Sequence, residues 1–246
     1  MSAKTRTVSR SESGFTLVEL AVVMIIIGLL IGGVLKGQEL INNAQITSTV
    51  AQVKAMDAAT STFDDMYSAL PGDMLNPGAR LPNCTAVGGC NTAGSGNRVI
   101  DATFAGAPAG EATTYFVHLS AADLLTGINP AGAAAAWGSI YPEANINGGF
   151  HVGGTTTGAL GGFSNVIGGN TLNAGTYLGL TLTAGAAPAA VVTPNQAFRI
   201  DNKIDDGRPD TGSVRAAGGA TCGTVAAGYI ESDPGANCGL YIRIQG

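Results

Sequence analysis

The sequence predicts an α+β fold in which a long N-terminal α-helix packs against an antiparallel β-sheet head with long Gly-rich loops. An apolar run of 21 residues, 15–35, opens the helix, and no proline follows until Pro71. Beyond Pro71 the composition changes to Gly, Ala, Thr and Asn, with short apolar runs separated by turn-forming residues. These observations predict one long helix followed by a loop-rich β region.

The apolar run has the length of a membrane span. At about 1.5 Å per residue, residues 15–35 cover roughly the 30 Å of a bilayer's hydrocarbon core. Three basic residues and one acid precede the run, and they are Lys4, Arg6, Arg10 and Glu12. Because basic residues tend to stay on the cytoplasmic side, we expect residues 1–14 in the cytoplasm and the chain after residue 35 outside it.

Two common kinds of N-terminal segment explain this run incompletely. A secretory signal peptide has a shorter apolar stretch and a small-x-small cleavage site, whereas Val34-Leu35-Lys36 is not such a site. A plain membrane anchor explains the length, but it gives no reason for Gly14 at the boundary or for Glu19 within the run. An ionisable group inside a span is expensive, so we expect Glu19 to be functional.

The segment Gly14-Phe15-Thr16-Leu17-Val18-Glu19 resembles the prepilin processing motif of type IV pilins and type II secretion pseudopilins. The resemblance implies that a prepilin peptidase cuts between Gly14 and Phe15, removes leader 1–14, and leaves an N-methylated Phe15. It also implies a pilin-like fold and an inner-membrane assembly platform as a partner. Glu19 would match the glutamate that faces the terminal amine of a neighbouring subunit in this family. The motif covers about the first sixth of the chain.

Physical chemistry gives Glu19 a role in assembly. A carboxylate in hydrocarbon is tolerable when it is paired, and the α-amino group of Phe15 is the cation available at that depth. Either the same chain or a staggered neighbour could supply that amine. Pairing between chains would set the axial register of a helix bundle.

Residues 36–70 read as an amphipathic continuation of the helix. Apolar and small side chains recur at helical spacing, and they are Ile46, Val50, Val53, Thr60, Phe63, Tyr67 and Leu70. Pro71-Gly72 then predicts the end of a helix of on the order of 78 Å, from Phe15 to about Met66. The stripe is too short and irregular for a free coiled coil, so we expect it to pack against the head, residues 71–246.

Within the head, residues 112–125 are predicted to form a short helix that buries Phe116, Leu119, Leu124 and Leu125. Residues 177–183 and the C-terminal alternation of Leu240, Ile242 and Ile244 predict strands. Further apolar residues mark expected partner strands, and they are Phe198, Ile200, Val214, Tyr229 and Ile230. The strand order between residues 71 and 195 is not predicted, because abundant Gly weakens the periodicity.

Four cysteines, Cys84, Cys90, Cys222 and Cys238, lie in the part predicted to be exported, where disulfides are the default. Four cysteines allow three connectivities. The pairs Cys84–Cys90 and Cys222–Cys238 are favoured because each closes a Gly-rich loop. The second pair resembles the C-terminal disulfide loop of many type IV pilins. Metal binding is the alternative, although paired CxxC spacing and nearby histidines are missing.

The densest acidic segment is 201–210, with Asp201, Asp205, Asp206 and Asp210. Carboxylates are the oxygen ligands that Ca²⁺ prefers, and some pseudopilins hold calcium in a comparable loop. The spacing is not that of an EF-hand. The alternative is a solvated turn in which the aspartates bind backbone amides and Lys203 or Arg208 offsets their charge. We expect no other cofactor.

Enzymatic function is not predicted. The two histidines, His118 and His151, have no neighbouring carboxylate in sequence, and no nucleophile elbow, Walker A lysine or Rossmann glycine pattern occurs. His118 is expected to be an ordinary structural residue. Removal of residues 1–14 deletes three basic residues and one acid, which takes the formal net charge from −5 to −7. That charge disfavours non-specific binding to nucleic acid.

The sequence therefore predicts a structural subunit of a type IV pilus-like filament, polymerised with itself or with related pilins and serving adhesion, motility or DNA uptake. It would first be a single-pass inner-membrane protein and then part of a cell-surface pilus. The alternative is a type II secretion pseudopilin that stays in the periplasm and drives protein export. A monomeric, membrane-tethered binding protein is a third class.

Overall fold

A computed structural model describes residues 14–84, 89–101, 104, 110–129, 136–155, 166–169, 172–184 and 191–244. The chain divides into two compact units, residues 1–43 and 44–246. Helix α1 (Leu17–Tyr67) runs from the first unit into the second. The observed class is α+β, as the sequence predicts, and the bounds of α1 agree with the predicted helix to within two residues.

In the first unit, α1 exposes apolar side chains. Leu17, Leu29 and Leu35 are 86%, 74% and 61% exposed, and the residues between them are exposed as well. Among the described residues, α1 is the one helix long and apolar enough to cross a membrane, and none of its most apolar window is buried. An apolar surface of this size requires a bilayer or other apolar helices around it.

In the second unit, α1 buries one stripe of side chains in the main core. Its buried residues are Ile46, Thr49, Val50, Val53, Met56, Ala59, Thr60 and Phe63. These follow helical spacing, which confirms the predicted stripe and extends it through Met56 and Ala59. Tyr67 is half-buried and Leu70 is buried after the helix has ended.

In the described part of the chain, three shorter α-helices follow, and they are α2 (Pro77–Arg80), α3 (Glu111–Ala121) and α4 (Pro194–Ile204). Helix α3 is the predicted helix of residues 112–125, and it ends earlier than expected. Asp123 adopts a positive φ of 59°, which a continuing helix does not allow, and Leu124 and Leu125 follow as partly buried residues. Phe116 and Leu119 are buried as predicted.

Helix α4 corrects one expectation from the sequence. Phe198 and Ile200 were expected in strands, but both lie in α4. The hydroxyl of Thr193 accepts from the amide of Gln196, the Gln196 side chain accepts from the amide of Thr193, and Pro194 occupies the first turn. A capping box followed by proline at the first helical position is a typical helix start, and here it determines that the segment is helical.

The described residues also form six strands, and they are β1 (Gly149–Thr155), β2 (Gly175–Thr181), β3 (Val214–Ala217), β4 (Gly223–Thr224), β5 (Gly228–Tyr229) and β6 (Gly239–Ile244). Four of them form an antiparallel sheet in the order β1-β2-β6-β3. The short β4 and β5 pair separately, so Tyr229 lies outside the main sheet. Strands β2 and β6 are the strands the sequence predicts.

The sheet has a core on each side. Leu240, Ile242 and Ile244 of β6 join the core cluster that contains the buried stripe of α1. Tyr241 belongs to a second cluster with Phe104, Val166, Leu172, Tyr177 and Ala217. The ring of Phe104 packs edge-on against His151 and Tyr241, with centroid distances of 4.6 and 5.2 Å. Side chains that alternate along β6 therefore fill two separate apolar clusters.

His118 joins three segments of the head. Its Nδ1 accepts from the backbone N–H of Gly72 at 2.9 Å, so its Nε2 carries the proton and donates to the carbonyl of Cys90 at 3.0 Å. The imidazole is fully buried and stacks on Phe63 of α1. The structural role expected for His118 is thus a link between α3, the turn after α1 and the first disulfide loop.

Asp73, just after the turn, organises the neighbouring Gly-rich loop. Its carboxylate accepts from the backbone N–H groups of Gly96, Asn97 and Arg98 and from the hydroxyl of Ser95. The guanidinium of Arg98 is then 2.7 Å from Asp64 of α1. A buried carboxylate with four donors is fully compensated, so this loop is fixed to the end of α1.

Candidate assembly site at the start of the long helix

The segment before α1 is not helical and is exposed to solvent. Gly14, Phe15 and Thr16 are not helical, and α1 begins at Leu17. Phe15 is 83% exposed, and a Cβ added at Gly14 would meet no atom within 4 Å. A peptide bond in an exposed, non-helical segment is the kind that a peptidase can bind.

Glu19 is bonded to Thr16 within its own chain. The backbone N–H and the hydroxyl of Thr16 both donate to Glu19 Oε2 at 2.9 Å, and Thr16 Oγ1 lies 3.3 Å from the amide nitrogen of Glu19. This reciprocal pattern is a capping box at the first turn of α1. A carboxylate in the first turn also interacts favourably with the helix dipole.

The capping box was missed from the sequence. Thr16-Leu17-Val18-Glu19 has the T-x-x-E spacing of such a box, and that signal was available. From the sequence alone, a plain membrane anchor has no reason to contain Glu19. The capping box is such a reason, because it stabilises the start of the helix. The cap alone, however, needs no negative charge, because a glutamine at the same position makes the same hydrogen bonds.

The structure joins Cys84 to Cys90 and Cys222 to Cys238. These are the two local pairs that the sequence analysis favours. The second bridge encloses β4 and β5 and ends at Cys238, which exchanges backbone hydrogen bonds with Val192, just before α4. It therefore fixes the segment between β3 and β6 to the rest of the head.

Three of the four predicted calcium ligands converge. Oxygen atoms of Asp201, Asp205 and Asp206 lie within 4.8 Å of one another, whereas Asp210 is outside this group and pairs with Arg208 at 3.2 Å. The three converging carboxylates fit the hard oxygen donors that Ca²⁺ takes. As in the solvated-turn alternative, they also bind donors of their own chain.

Each converging carboxylate holds a different part of the turn. Asp201 is fully buried and accepts from the hydroxyl of Tyr229 at 2.8 Å and the amide of Gly207 at 3.2 Å. Burial raises the pKa of Asp201 to about 7. Asp205 accepts from the amide of Ser213, and Asp206 accepts from the hydroxyl of Thr211.

Calcium binding stays a prediction that a thermal melt can test. If the three carboxylates hold Ca²⁺, millimolar calcium should raise the melting temperature by several degrees, because binding to the folded state alone stabilises it. Asp205→Ala should remove that rise, and Asp210→Ala, outside the group, should keep it. No shift in the unmodified chain would leave the solvated turn as the explanation.

Comparison with protein-family models finds one match in the chain. Residues 9–35 match the family described as the prokaryotic N-terminal methylation motif. The matched range contains the predicted cleavage junction, the capping box and the predicted span. No curated protein and no solved structure matches the chain.

Proposed function

We propose that this chain, which carries the N-terminal methylation motif that marks type IV pilins and pseudopilins, is a structural subunit of a type IV pilus-like filament. The observation that carries the proposal is the matched segment 9–35, in which the exposed apolar part of α1 begins directly after an accessible Gly14–Phe15 junction. An apolar helix of this kind first needs a bilayer and can later exchange it for the helices of other copies. The head has no proposed catalytic role.

Processing would begin in the inner membrane. With residues 1–14 in the cytoplasm, a prepilin peptidase would cut after Gly14 and leave an N-methylated Phe15 at the start of the mature chain. The three basic side chains are removed with the leader, so the α-amino group of Phe15 is then the cationic group at the start of the span. The assembly platform would next move the helix from the bilayer into the filament.

Glu19 would direct the docking of one subunit on another. Both donors of Thr16 use Oε2 of Glu19, and no donor among the described residues binds Oε1, which could accept from a cation of another chain. The new α-amino group of a neighbouring Phe15 is that cation. A charge pair in an apolar bundle forms only in good geometry, so it would set the register between subunits.

The same motif is equally compatible with the alternative function, a type II secretion pseudopilin. In that case the filament would stay in the periplasm and drive protein export. A surface pilus is the preferred function, and the location of the filament distinguishes the two.

Mass spectrometry of filaments sheared from cells tests the proposal. The expected N-terminal peptide begins with a methylated Phe15 and contains none of residues 1–14. The same peptide found in periplasmic filaments, with none in the sheared fraction, would favour the pseudopilin. A mature protein that begins at Met1 would contradict both.

A further inference from the structure

A groove of about 800 Å³ opens in the head beside α1, and neither the disulfides nor the acidic turn explains it. One wall is α1 itself, through Val53 and Lys54, and the opposite wall is the end of β6, through Ile242, Arg243 and Ile244. All these residues lie in the unit of residues 44–246. The volume falls within the range of about 300–1,000 Å³ that is typical of ligand-binding clefts.

The lining combines an apolar floor with a basic mouth. Val53, Ile242 and Ile244 are buried and belong to the main core. Among the charged side chains, the lining has three bases and one acid, and they are Lys54, Arg98, Arg243 and Asp57. Such a lining favours a ligand that carries a carboxylate beside apolar groups.

Two of the bases are fixed at the mouth. Arg98 reaches Asp64 at 2.7 Å while its side chain stays 55% exposed, and Arg243 donates to the carbonyl of Ala174 at 2.9 Å. The charge of Arg98 is therefore already offset by Asp64. The guanidinium of Arg243 forms no ion pair among the described residues, and because it is held in place it loses little freedom when it binds a carboxylate. Three of the nine Lys and Arg residues that follow residue 14 thus share one groove on a chain of formal charge −7.

We propose that this groove binds an acidic segment of a second copy of this chain. The inference rests on the proposed filament, because a filament repeats the head many times and so makes heads of other copies available to each groove. Copies of formal charge −7 repel one another, and a cationic groove that takes a neighbour's carboxylate offsets that repulsion where the heads meet.

Repetition makes such a contact effective. An exposed charge pair is weak on its own and is screened by salt. In a filament the helices already hold the copies together, so the groove meets its partner segment at high effective concentration. The contact should therefore exist in filaments and be absent between free subunits.

Photo-cross-linking in full-length filaments tests the proposal. A benzoylphenylalanine at position 213, where Ser213 lines the groove, should give covalent dimers on irradiation, with the cross-link on an acidic segment of the second copy. The same label at position 221 is the control, since Thr221 is exposed and does not line the groove. Adding Lys54→Gln and Arg243→Gln should lower the dimer yield about fivefold, the scale of two exposed charge pairs. Lys203→Gln, outside the lining, should leave it unchanged.

The outcomes separate this inference from the proposed function. Intact filaments without a dimer at position 213, or with a cross-link to another protein or a small molecule, would overturn the groove contact and leave the filament standing. A chain that is never cleaved or never forms filaments would overturn both. The chain that carries the label at position 213 and no charge substitution decides whether the contact exists, even if the charge variants fold poorly.

Discussion

Filaments are expected to be lost when Glu19 is replaced by alanine, while the chain is still cleaved after Gly14 and still enters the membrane. Breaking a buried ion pair costs about 3–5 kcal/mol, and about 1.4 kcal/mol is a tenfold change in an equilibrium constant. We therefore expect the filament yield to fall at least about a hundredfold. The measurements are the amount of protein in the sheared fraction and the N-terminal peptide of the membrane fraction.

Two matched variants separate the charge of Glu19 from its hydrogen bonds to Thr16. Glu19→Gln keeps the capping box and removes the charge, so it should fail as Glu19→Ala does. Thr16→Val removes the hydroxyl and keeps the charge, so it should weaken the helix start by about 1 kcal/mol and retain most filaments. Normal filaments from Glu19→Gln would show that the residue acts only as a cap.

The second large effect is expected at His118. His118→Ala leaves the amide of Gly72 and the carbonyl of Cys90 buried without their imidazole partner. Each such group costs about 1–3 kcal/mol, so the free energy of unfolding should fall by about 3–5 kcal/mol at pH 7. Denaturant unfolding measures it, and Ser120→Ala on the same helix is the control. A loss below about 1 kcal/mol would contradict the linking role.

Acid should also lower the free energy of unfolding of the unmodified protein, because it protonates the buried histidines. Burial lowers the pKa of His118 to about 4 and that of His151 to about 3, whereas both are near 6.5 in the unfolded chain. The unfolded state therefore takes up protons first as the pH falls. The two histidines therefore contribute stability that is complete above about pH 6.5 and is lost as the pH falls towards 4 and below. Asp201, whose pKa is raised to about 7, has the opposite effect between about pH 4 and 7 and offsets one of the two protons. In His118→Ala the decline between pH 6.5 and 4 should be shallower by about one proton.

The elements that the sequence predicts correctly have strong patterns. The stripe from Ile46 to Phe63 and the alternation from Leu240 to Ile244 each repeat with one period over their whole length, and each became a helix or a strand of the main core. Strand β1 was missed because Gly149, Gly153 and Gly154 leave too few apolar side chains to show a period of two. Its pairing with β2, rather than local preference, makes it a strand.

At the candidate sites too, features encoded by neighbouring residues are predictable, and features that depend on residues far apart in sequence are not. The methylation motif is predictable because it is contiguous in sequence, whereas cleavage after Gly14 and the role of Glu19 in assembly stay predictions. The capping box is equally local, through its T-x-x-E spacing, although the sequence analysis does not predict it. The groove could not be predicted, since Lys54, Arg98 and Arg243 come together only through the packing of α1, a loop and β6.

The position of β6 in the sheet has a consequence for folding. Its neighbours β2 and β3 do not pair with each other, so the sheet closes only when the strand from Gly239 has joined them. Contacts between residues this far apart in sequence form late and slowly. A chain whose synthesis stops before this strand therefore cannot close its sheet, and we expect such a chain to be degraded.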